Sequence, residues 1–366
     1  MLNNKTIAVV VPAYNEGSQI GMVIDTMPDY VDRIIIVNDL STDNTKGAVE
    51  AYFQKDENKT LLEIKEEKTF SETGIYSTAN KVLWQQNQDE RKFFTPAEIA
   101  NKTPDKERVI LINHTENGGV GAAIATGYKW CKDHGIDCTA VMAGDAQMDP
   151  AELESIVKPV IDEGIDYVKG NRLIHRSAKH VIPRQRFFGN SVLSILTKLA
   201  SGYWHVSDTQ TGYTAISLDG LNSIKLYDIY KRYGMPNDML VKLNIAFCTL
   251  REVEIKPIYN VGEQSKMKVM KIIRPILWLL LRSFYKRLWQ KYFFRDFHPL
   301  FLLYHFAFIL LMVAIPFGAK LLLKVFAGQD ANPVTVIAFA LLFISGFQSL
   351  FFAMWMDIQD NERLYK

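Results

Sequence analysis

Residues 139–150 read TAVMAGDAQMDP, an apolar run that stops abruptly at two carboxylates and a proline. An apolar run bounded by glycine and proline is typical of a buried strand, and open α/β sheets bind ligands at the carboxyl ends of their strands. We therefore expect a ligand beside Asp145 and Asp149, whose hard oxygen atoms suit Mg²⁺ or Mn²⁺ bridging a diphosphate. The segment alone equally fits an ordinary turn in which Asp149 is the N-cap and Pro150 begins the next helix.

The rest of the chain alternates between strand and helix patterns. Strands are predicted at residues 6–11, 33–38, 109–113, 139–144, 167–170 and 252–257, and helices at residues 119–134, 150–162, 185–202 and 237–248. This alternation predicts an α/β fold with a mostly parallel sheet and helices on both faces. Polar residues dominate the segment 46–107, which we interpret as an insertion forming either a solvated arm or an oligomer contact, so the chain is a possible homo-oligomer.

Composition excludes several classes of protein. The 366 residues carry a formal net charge of +2, which argues against nucleic acid as a partner, and their number accommodates a catalytic domain with an appendage. The three cysteines form neither a CxxC pair nor a zinc set, so we expect reduced thiols. The segment GVGAAI at residues 119–124 lacks the third glycine of a dinucleotide fingerprint, and Gly118 and Gly119 are expected to form a tight turn instead.

Two segments towards the C-terminal end contain no charged residue. Residues 299–319 and 331–356 lack Asp, Glu, Lys and Arg, and each is long enough to cross a hydrocarbon core of ~30 Å as a helix. With the polar turn at 327–333 they predict a transmembrane hairpin and tail over residues 298–366. We disfavour two buried helices of a soluble core because of this apolar length. Basic residues in front of the first span place the catalytic domain and both termini in the cytoplasm.

The segment 266–297 alternates apolar clusters with arginine and lysine. Such a segment is typical of an interfacial amphipathic helix, with Trp and Tyr at headgroup depth and cations on anionic lipids. The alternative is a helix packed on the globular domain. The first interpretation makes membrane lipids partners of this chain.

Two further motifs follow the first two predicted strands. VVPAYNE occupies residues 10–16 and VNDLSTDNT occupies residues 37–45, so both place acids and hydroxyls at the same sheet edge as Asp145. Carboxylates there accept hydrogen bonds from a base or a ribose, and a proline fixes the lining loop. Each motif is weak alone because Asp and Asn are common in turns, but three such edges together favour a nucleotide site.

The trio VPAYNE, NDxSTDxT and GDAQMDP resembles family 2 glycosyltransferases of the GT-A fold, particularly the dolichol-phosphate mannosyltransferase-like branch that uses polyprenyl phosphate. The resemblance covers residues 6–268, which implies a GT-A domain over residues 1–265, and the two C-terminal spans resemble the membrane anchors of part of that branch. It implies an inverting transfer of a sugar from a GDP- or UDP-linked donor to polyprenyl phosphate at the cytoplasmic face, with Mg²⁺ or Mn²⁺ as cofactor.

The resemblance also implies roles for individual residues. The nucleotide sugar would be contacted by Pro12, Tyr14, Glu16, Asp39, Gln147 and Lys266. The metal would be held by Asp145, and the residues at the reacting centre would be Arg172, Asp208 and Asp238. Separately, the basic segment before a predicted helix offers His180, Arg184 and Arg186 to an acceptor phosphate, or is simply a solvated basic loop.

Three positions depart from the family pattern. Ala143 replaces the first acid of the DxD metal motif, Asn38 replaces a frequent Asp, and Tyr259 stands where an Arg often contacts phosphate. Two other functions are therefore open: extension of a polyprenyl-diphosphate-linked saccharide, and an inactive membrane scaffold. A saccharide hydroxyl acceptor would require Asp208 or Asp238 as a base, whereas polyprenyl phosphate is already anionic and requires none.

Overall fold

The structure is a computed structural model that describes residues 2–53, 77–182, 184–258 and 269–366, with the side chains of 184–188 and 269–272 not described. Its eight strands form one sheet in the order β3-β4-β2-β1-β5-β7-β6-β8. Their bounds are β1 Ile7–Ala13, β2 Arg33–Asn38, β3 Ala97–Ile99, β4 Val109–His114, β5 Cys138–Val141, β6 Tyr167–Asn171, β7 Thr214–Ser217 and β8 Leu250–Glu254.

The sheet is mixed rather than uniformly parallel. β1, β2, β4 and β5 pair in parallel, and so do β6 and β8. β7 runs antiparallel between β5 and β6, and β3 is an antiparallel edge strand beside β4. The α/β class is confirmed, but the prediction missed β3 and β7, and it placed the start of the last strand two residues late.

Twelve helices lie among the described residues. They are α1 Ile20–Asp25, α2 Thr45–Glu50, α3 Ser77–Glu90, α4 Val120–Asp133, α5 Leu153–Glu163, α6 Ala178–Val181, α7 Arg184–Ser201, α8 Leu218–Ser223, α9 Met235–Ile245, α10 Val269–Trp289, α11 Pro299–Phe326 and α12 Pro333–Glu362. The segment 46–107, interpreted as an insertion, contains α3 and β3.

The sheet is covered on both faces, and its central strands are buried at nearly every position. In β1, Val9 belongs to the core beneath α1 and α5, and Val10 belongs to the core beneath α4 and α9. Strands buried on both sides lose the alternating pattern and read as continuous apolar runs. The carboxyl ends of β1, β2, β4 and β5 are therefore held in a rigid row.

α11 and α12 form an antiparallel pair whose length and composition suit a membrane. They have 28 and 30 residues with mean hydropathies of 2.4 and 2.1, and only 28% and 11% of their most apolar stretches are buried. A core helix of a soluble protein would be covered by other elements. At ~1.5 Å per residue, α12 is about 45 Å long and exceeds a hydrocarbon core of ~30 Å. The polar end beginning at Asp357 accounts for about 9 Å of the excess.

α10 has two different apolar faces. One face, which includes Leu280 and Leu288, is buried in a cluster shared with α7, α9 and α11. The other face exposes Leu277, Trp278 and Leu281. The helix therefore packs on the globular domain through one side, and its other side is available to a membrane interface, which remains a prediction. A π-helical turn, Gln290–Arg295, follows it.

Candidate active site

The three sequence motifs meet at one edge of the sheet. Ala13 at the end of β1 lies opposite Asn38 at the end of β2, and the backbone N–H of Asp39 donates to the carbonyl of Ala13 at 2.9 Å. On the other side of β1, the N–H of Gly144 donates to the carbonyl of Pro12 at 3.4 Å. The loops that carry Asp39 and Asp145 therefore flank β1, as parallel strands with adjacent ends require.

The first two motif loops are tied together by side chains. Asn15 adopts a left-handed conformation with φ of 57°. Its N–H donates to Ser41 Oγ at 3.0 Å, and its side-chain oxygen accepts from the N–H of Thr42 at 2.8 Å. The N–H of Glu16 donates to Thr45 Oγ1 at 3.0 Å. These hydrogen bonds fix the loop that carries the exposed Tyr14 at the mouth of the predicted nucleotide site.

Asp39 is a buried carboxylate that organises the turn before α4. Its oxygen atoms accept hydrogen bonds from the N–H groups of Gly118 and Gly119, both at 2.8 Å, and lie 2.7 Å from His114 Nδ1. Burial opposes its ionisation, but these donors hold the pKa of the carboxyl below its ordinary value. Gly119 has φ of 85°, and an added Cβ would lie 2.5 Å from the carbonyl of Lys231, so the turn requires glycine. The expected tight turn is present.

Asp145 lies in an open pocket between the ends of β5, β6 and β8. Its oxygen atom accepts from the N–H of Gln147 at 3.1 Å, and the intervening Ala146 has φ of 57°. The pocket lining also includes Arg172, Tyr213 and Ile258. Three predicted site residues, Asp145, Gln147 and Arg172, thus share one cavity.

Asp149 takes the alternative role that the sequence offered. Its side chain accepts from the N–H of Ala151 at 2.9 Å, with Pro150 in the first turn of the short helical segment that leads into α5. It caps a helix at the pocket wall. Its second oxygen lies 3.4 Å from Lys256 Nζ.

The pocket offers a small oxygen donor set for a metal. No three His, Cys, Asp or Glu side chains in the described part of the chain form a group that would hold an ion by themselves. Mg²⁺, however, is commonly bound by one or two carboxylates together with substrate phosphates and water. The Asp145 carboxylate and the neighbouring Gln147 amide fit such a site and would hold the ion together with phosphate oxygens and water.

Arg172 is held by a carboxylate that has no exposed surface. Its Nε and Nη2 donate to the two oxygens of Asp208 at 2.8 and 3.1 Å, and its backbone N–H donates to the same carboxylate at 3.1 Å. The N–H of Gln210 supplies a fourth hydrogen bond at 3.2 Å. Burial opposes the ionisation of Asp208, but Arg172 holds the pKa of its carboxyl below the ordinary value. Asp208 is 0% exposed and Arg172 is 23% exposed. The buried carboxylate therefore holds the guanidinium in place, and the guanidinium faces the pocket.

Two charged residues that the sequence did not single out support this pair. Glu252 on β8 accepts from the N–H groups of Ser207 and Asp208 at 2.9 and 3.0 Å and from Asn171 Nδ2 at 2.8 Å. Burial raises its pKa. Lys169 on β6 is fully buried and donates to the carbonyl of Thr211, and burial lowers its pKa to about 8. For Lys169, the signal available was a lysine directly after the apolar pair Tyr167 and Val168 of β6, whereas the alternating charges of β8, LREVE, gave no such signal for Glu252.

Asp238 is engaged elsewhere. It lies in α9, where its Oδ2 accepts from the N–H of Tyr230 at 2.9 Å and from Lys242 Nζ at 2.5 Å. It does not line the pocket that contains Asp145. Its neighbour Asn237 accepts from Thr197 Oγ1 and from Gln210 Nε2 at 3.0 and 2.8 Å. The Asn237–Asp238 pair therefore connects α7 and α9 to the loop that carries Asp208.

The remaining predicted residues lie around the site or outside the description. Pro12 is partly buried at the end of β1, and His180 is exposed on α6. Arg184 and Arg186 lie in the first turn of α7, with side chains that are not described. Lys266 lies outside the described residues.

The match to known proteins defines the class of this chain. Residues 8–72 and 94–224 match the family model described as Glycosyl transferase family 2, and the chain belongs to this family. It is a glycosyltransferase with a GT-A-like α/β fold followed by the two long apolar helices.

Two relatives of this chain are glycosyltransferases named for a dolichyl or polyprenyl phosphate. The UDP-N-acetylglucosamine--dolichyl-phosphate N-acetylglucosaminyltransferase of Methanococcus voltae is 30% identical over 263 residues, which cover 70% of this chain and 87% of the relative. The undecaprenyl-phosphate mannosyltransferase of Micrococcus luteus is 26% identical over 160 residues, which cover 43% of this chain and 65% of that protein.

Solved structures also match this chain. Glucosyl-3-phosphoglycerate synthase from Mycobacterium tuberculosis, in complex with Mn²⁺, UDP and glucosyl-3-phosphoglycerate, is 17% identical, covers 78% of this chain and 80% of its own, and has a TM-score of 0.47.

Proposed function

We propose that this chain transfers a sugar from a nucleotide diphosphate sugar to polyprenyl phosphate at a membrane surface, with inversion at the anomeric carbon. The observation that carries the proposal is the state of its two motif carboxylates. Asp208 is fully buried and bound by Arg172, which holds the pKa of its carboxyl below the ordinary value, and Asp238 is bound by Lys242 outside the pocket. Neither is placed to take a proton from a sugar hydroxyl. A phosphate oxygen is anionic at neutral pH and attacks without a base.

The donor side of the pocket suits a diphosphate. Asp145 and Gln147 would hold Mg²⁺ or Mn²⁺ there, and the bound ion would neutralise charge on the leaving diphosphate. Arg172 presents a guanidinium to the same pocket, and its planar fork suits phosphate oxygens. Because Asp208 and Glu252 fix its position before any ligand binds, little ordering remains to be done at the transition state.

The relatives support polyprenyl phosphate as the class of acceptor, but they do not select one nucleotide sugar as the donor. The Methanococcus protein is named for dolichyl phosphate and the Micrococcus protein for undecaprenyl phosphate, so both acceptors are long polyprenyl phosphates. Their sugars differ, which is why we include both UDP- and GDP-linked donors in the proposal.

The membrane part of the proposal rests on α10, α11 and α12. The exposed length and hydropathy of α11 and α12 favour a membrane-spanning hairpin. Lys286 and Arg295, in front of α11, favour a cytoplasmic catalytic domain. The exposed Trp278 and Tyr285 on α10 suit the headgroup region beside that hairpin.

A donor and acceptor screen tests the proposal. The full chain, reconstituted in vesicles with Mg²⁺ or Mn²⁺, is given a panel of UDP- and GDP-sugars with polyprenyl phosphate, and products are identified by mass spectrometry. We expect a glycosyl polyprenyl monophosphate with one donor class. Product that forms only with a saccharide-bearing diphosphate lipid would overturn the acceptor assignment. No turnover with any donor, together with no metal-dependent nucleotide binding, would favour the inactive scaffold.

A further inference from the structure

The end of α12 carries a carboxylate that is completely buried against other helices. Asp357 is 0% exposed, and its two oxygens accept from Nη1 and Nη2 of Arg287 on α10 at 2.7 and 2.8 Å. The hydroxyl of Tyr292 lies 2.9 Å from the same carboxylate, and Asn361 Nδ2 donates to it at 2.8 Å. A buried ion pair of this kind contributes little net stability, but both partners must be present and correctly placed, because removal of one leaves a buried charge unpaired.

Arg287 also binds the end of a third helix. Its Nε donates to the carbonyl of Ala200 at 3.0 Å, and its Nη2 donates to the carbonyl of Leu199 at 3.1 Å, at the C-terminal end of α7. A cation there satisfies carbonyls that lack helical partners. Gly202 follows with φ of 79°, and an added Cβ would lie 2.5 Å from Arg287 Nη1. The glycine after α7 therefore leaves the space that the Arg287 guanidinium occupies.

Two further contacts join the same end of α12 to the globular domain. Lys291 is 0% exposed, and its Nζ donates to Asn361 Oδ1 at 2.5 Å and to Asn244 Oδ1, on α9, at 3.1 Å. Beyond α12, the backbone N–H of Leu250 on β8 donates to the carbonyl of Leu364 at 2.7 Å. The apolar hairpin is thus attached to α7, α9, α10 and the sheet edge within about two helical turns.

Two of the elements bound at the end of α12, namely α7 and β8, also contact the loop that contains Asp208. On α7, Ser194 Oγ lies 3.1 Å from Thr209 Oγ1, next to Asp208. On β8, Glu252 is two residues from Leu250 and binds the N–H of Asp208. The loop that positions Arg172 is therefore built on α7 and β8, two of the elements attached to the end of α12.

We propose that Arg287 and Asp357 are positioning residues that set the catalytic pocket at one height and angle above the membrane, so that a membrane-embedded polyprenyl phosphate meets the bound donor. The inference rests on the proposed acceptor. Neither residue touches the donor pocket, so donor binding and transfer to a freely diffusing acceptor do not depend on them. The phosphate of a long acceptor is confined to the headgroup region of the bilayer, so a displaced pocket meets it less well, and a misplacement of the reacting atoms by about 1 Å can lower a rate by roughly 100-fold.

The experiment compares two acceptors with the same phosphate chemistry. The full chain and its Asp357→Asn variant are reconstituted in vesicles and assayed with a long polyprenyl phosphate in the bilayer and with a short, water-soluble prenyl phosphate. We expect transfer to the long acceptor to fall roughly tenfold or more, and transfer to the short acceptor to stay within about twofold. Nucleotide affinity is expected to stay unchanged.

A second variant separates positioning from folding. Asp357→Asn leaves Arg287 as an unpaired buried charge, whereas Arg287→Met combined with Asp357→Leu removes both charges and retains apolar packing. The double variant is expected to fold and to show the same selective loss. Arg363→Gln removes an exposed partner of Asp360 on the same end of α12 and serves as the matched control with unchanged activity.

The outcomes are distinct. Equal loss with both acceptors, in single and double variants, would show a merely structural role and overturn the inference. Unchanged transfer to the long acceptor in the folded double variant would overturn it as well. If the unmodified chain transfers sugar to neither phosphate acceptor, the proposed function itself fails.

Discussion

Replacement of Asp208 by Asn tests whether this carboxylate acts through Arg172 or as a base. The change removes one charge of a pair whose acid is 0% exposed, and breaking a buried pair from one side typically costs about 3–5 kcal/mol. Because the Arg172 side chain is 23% exposed and is partly able to rehydrate, we place the loss of unfolding free energy near the lower limit, at about 3 kcal/mol. For a domain of this size, that corresponds to a decrease in Tm of roughly 6–12 °C.

The same variant is expected to lower kcat by roughly 100-fold, because an asparagine amide can accept only one of the two side-chain hydrogen bonds that aim the guanidinium at the pocket. The assays are thermal unfolding in detergent and steady-state transfer to polyprenyl phosphate. Glu154→Gln, which removes an exposed acid paired with Lys158, serves as the control and leaves both quantities unchanged.

A double-mutant cycle decides between the two roles. If Asp208 only positions Arg172, then adding Asp208→Asn to Arg172→Gln lowers kcat no further, and the double variant is more stable than Asp208→Asn alone. Multiplicative losses of kcat, or an Asp208→Asn variant of unchanged Tm whose pH profile lacks an acidic limb, would refute the positioning argument.

Three other substitutions give separate tests. Asp145→Asn should abolish transfer and metal-dependent nucleotide binding while Tm stays within a few degrees, and retained activity would contradict the metal assignment. Burial lowers the pKa of Lys169 in the folded protein to about 8, against an ordinary value of 10.5. Between these pH values the unfolded state binds the proton and the folded state does not, so the free energy of unfolding rises with pH by at most about 1.4 kcal/mol per unit. Urea titrations of the unmodified chain and of Lys169→Met at pH 8 and 10 measure this difference. A flat difference would contradict the burial argument. Gly202→Ala, at φ of 79° against Arg287, should cost about 1–3 kcal/mol in unfolding free energy, and an unchanged Tm would show that Arg287 moves freely.

The strands that the sequence revealed are those whose burial is continuous. β1, β2 and β4 carry unbroken apolar runs, so the sequence pattern alone predicted these strands. It also predicted that the polar motifs after the strands lie at one edge of the sheet. β7 is a four-residue strand, TAIS, that exists because β5 and β6 pair with it on both sides. Pairing partners distant in sequence leave no local pattern, which is why this strand and the mixed sheet were missed.

The candidate site divides in the same way. Motif residues such as Asp145 and Arg172 were found because residue type and spacing locate them at strand ends. The partner of Arg172 is 36 residues away, and the carboxylate that supports that partner, Glu252, is 44 residues further on. No one-dimensional pattern reports which buried acid meets which cation, so the distinction between a base and a supporting carboxylate required coordinates.

The backbone pairing between Leu250 and the residues after α12 constrains how this protein is made. The N–H of Leu250 donates to Leu364 and its carbonyl accepts from Lys366, so the outer edge of β8 is covered at its first residue by chain synthesised after both apolar helices. During biosynthesis that edge stays open, and an open edge is a template for wrong pairing. The edge at Leu250 is therefore completed only after both apolar helices have been synthesised, so the last step in folding of the catalytic domain depends on the segment that follows α12.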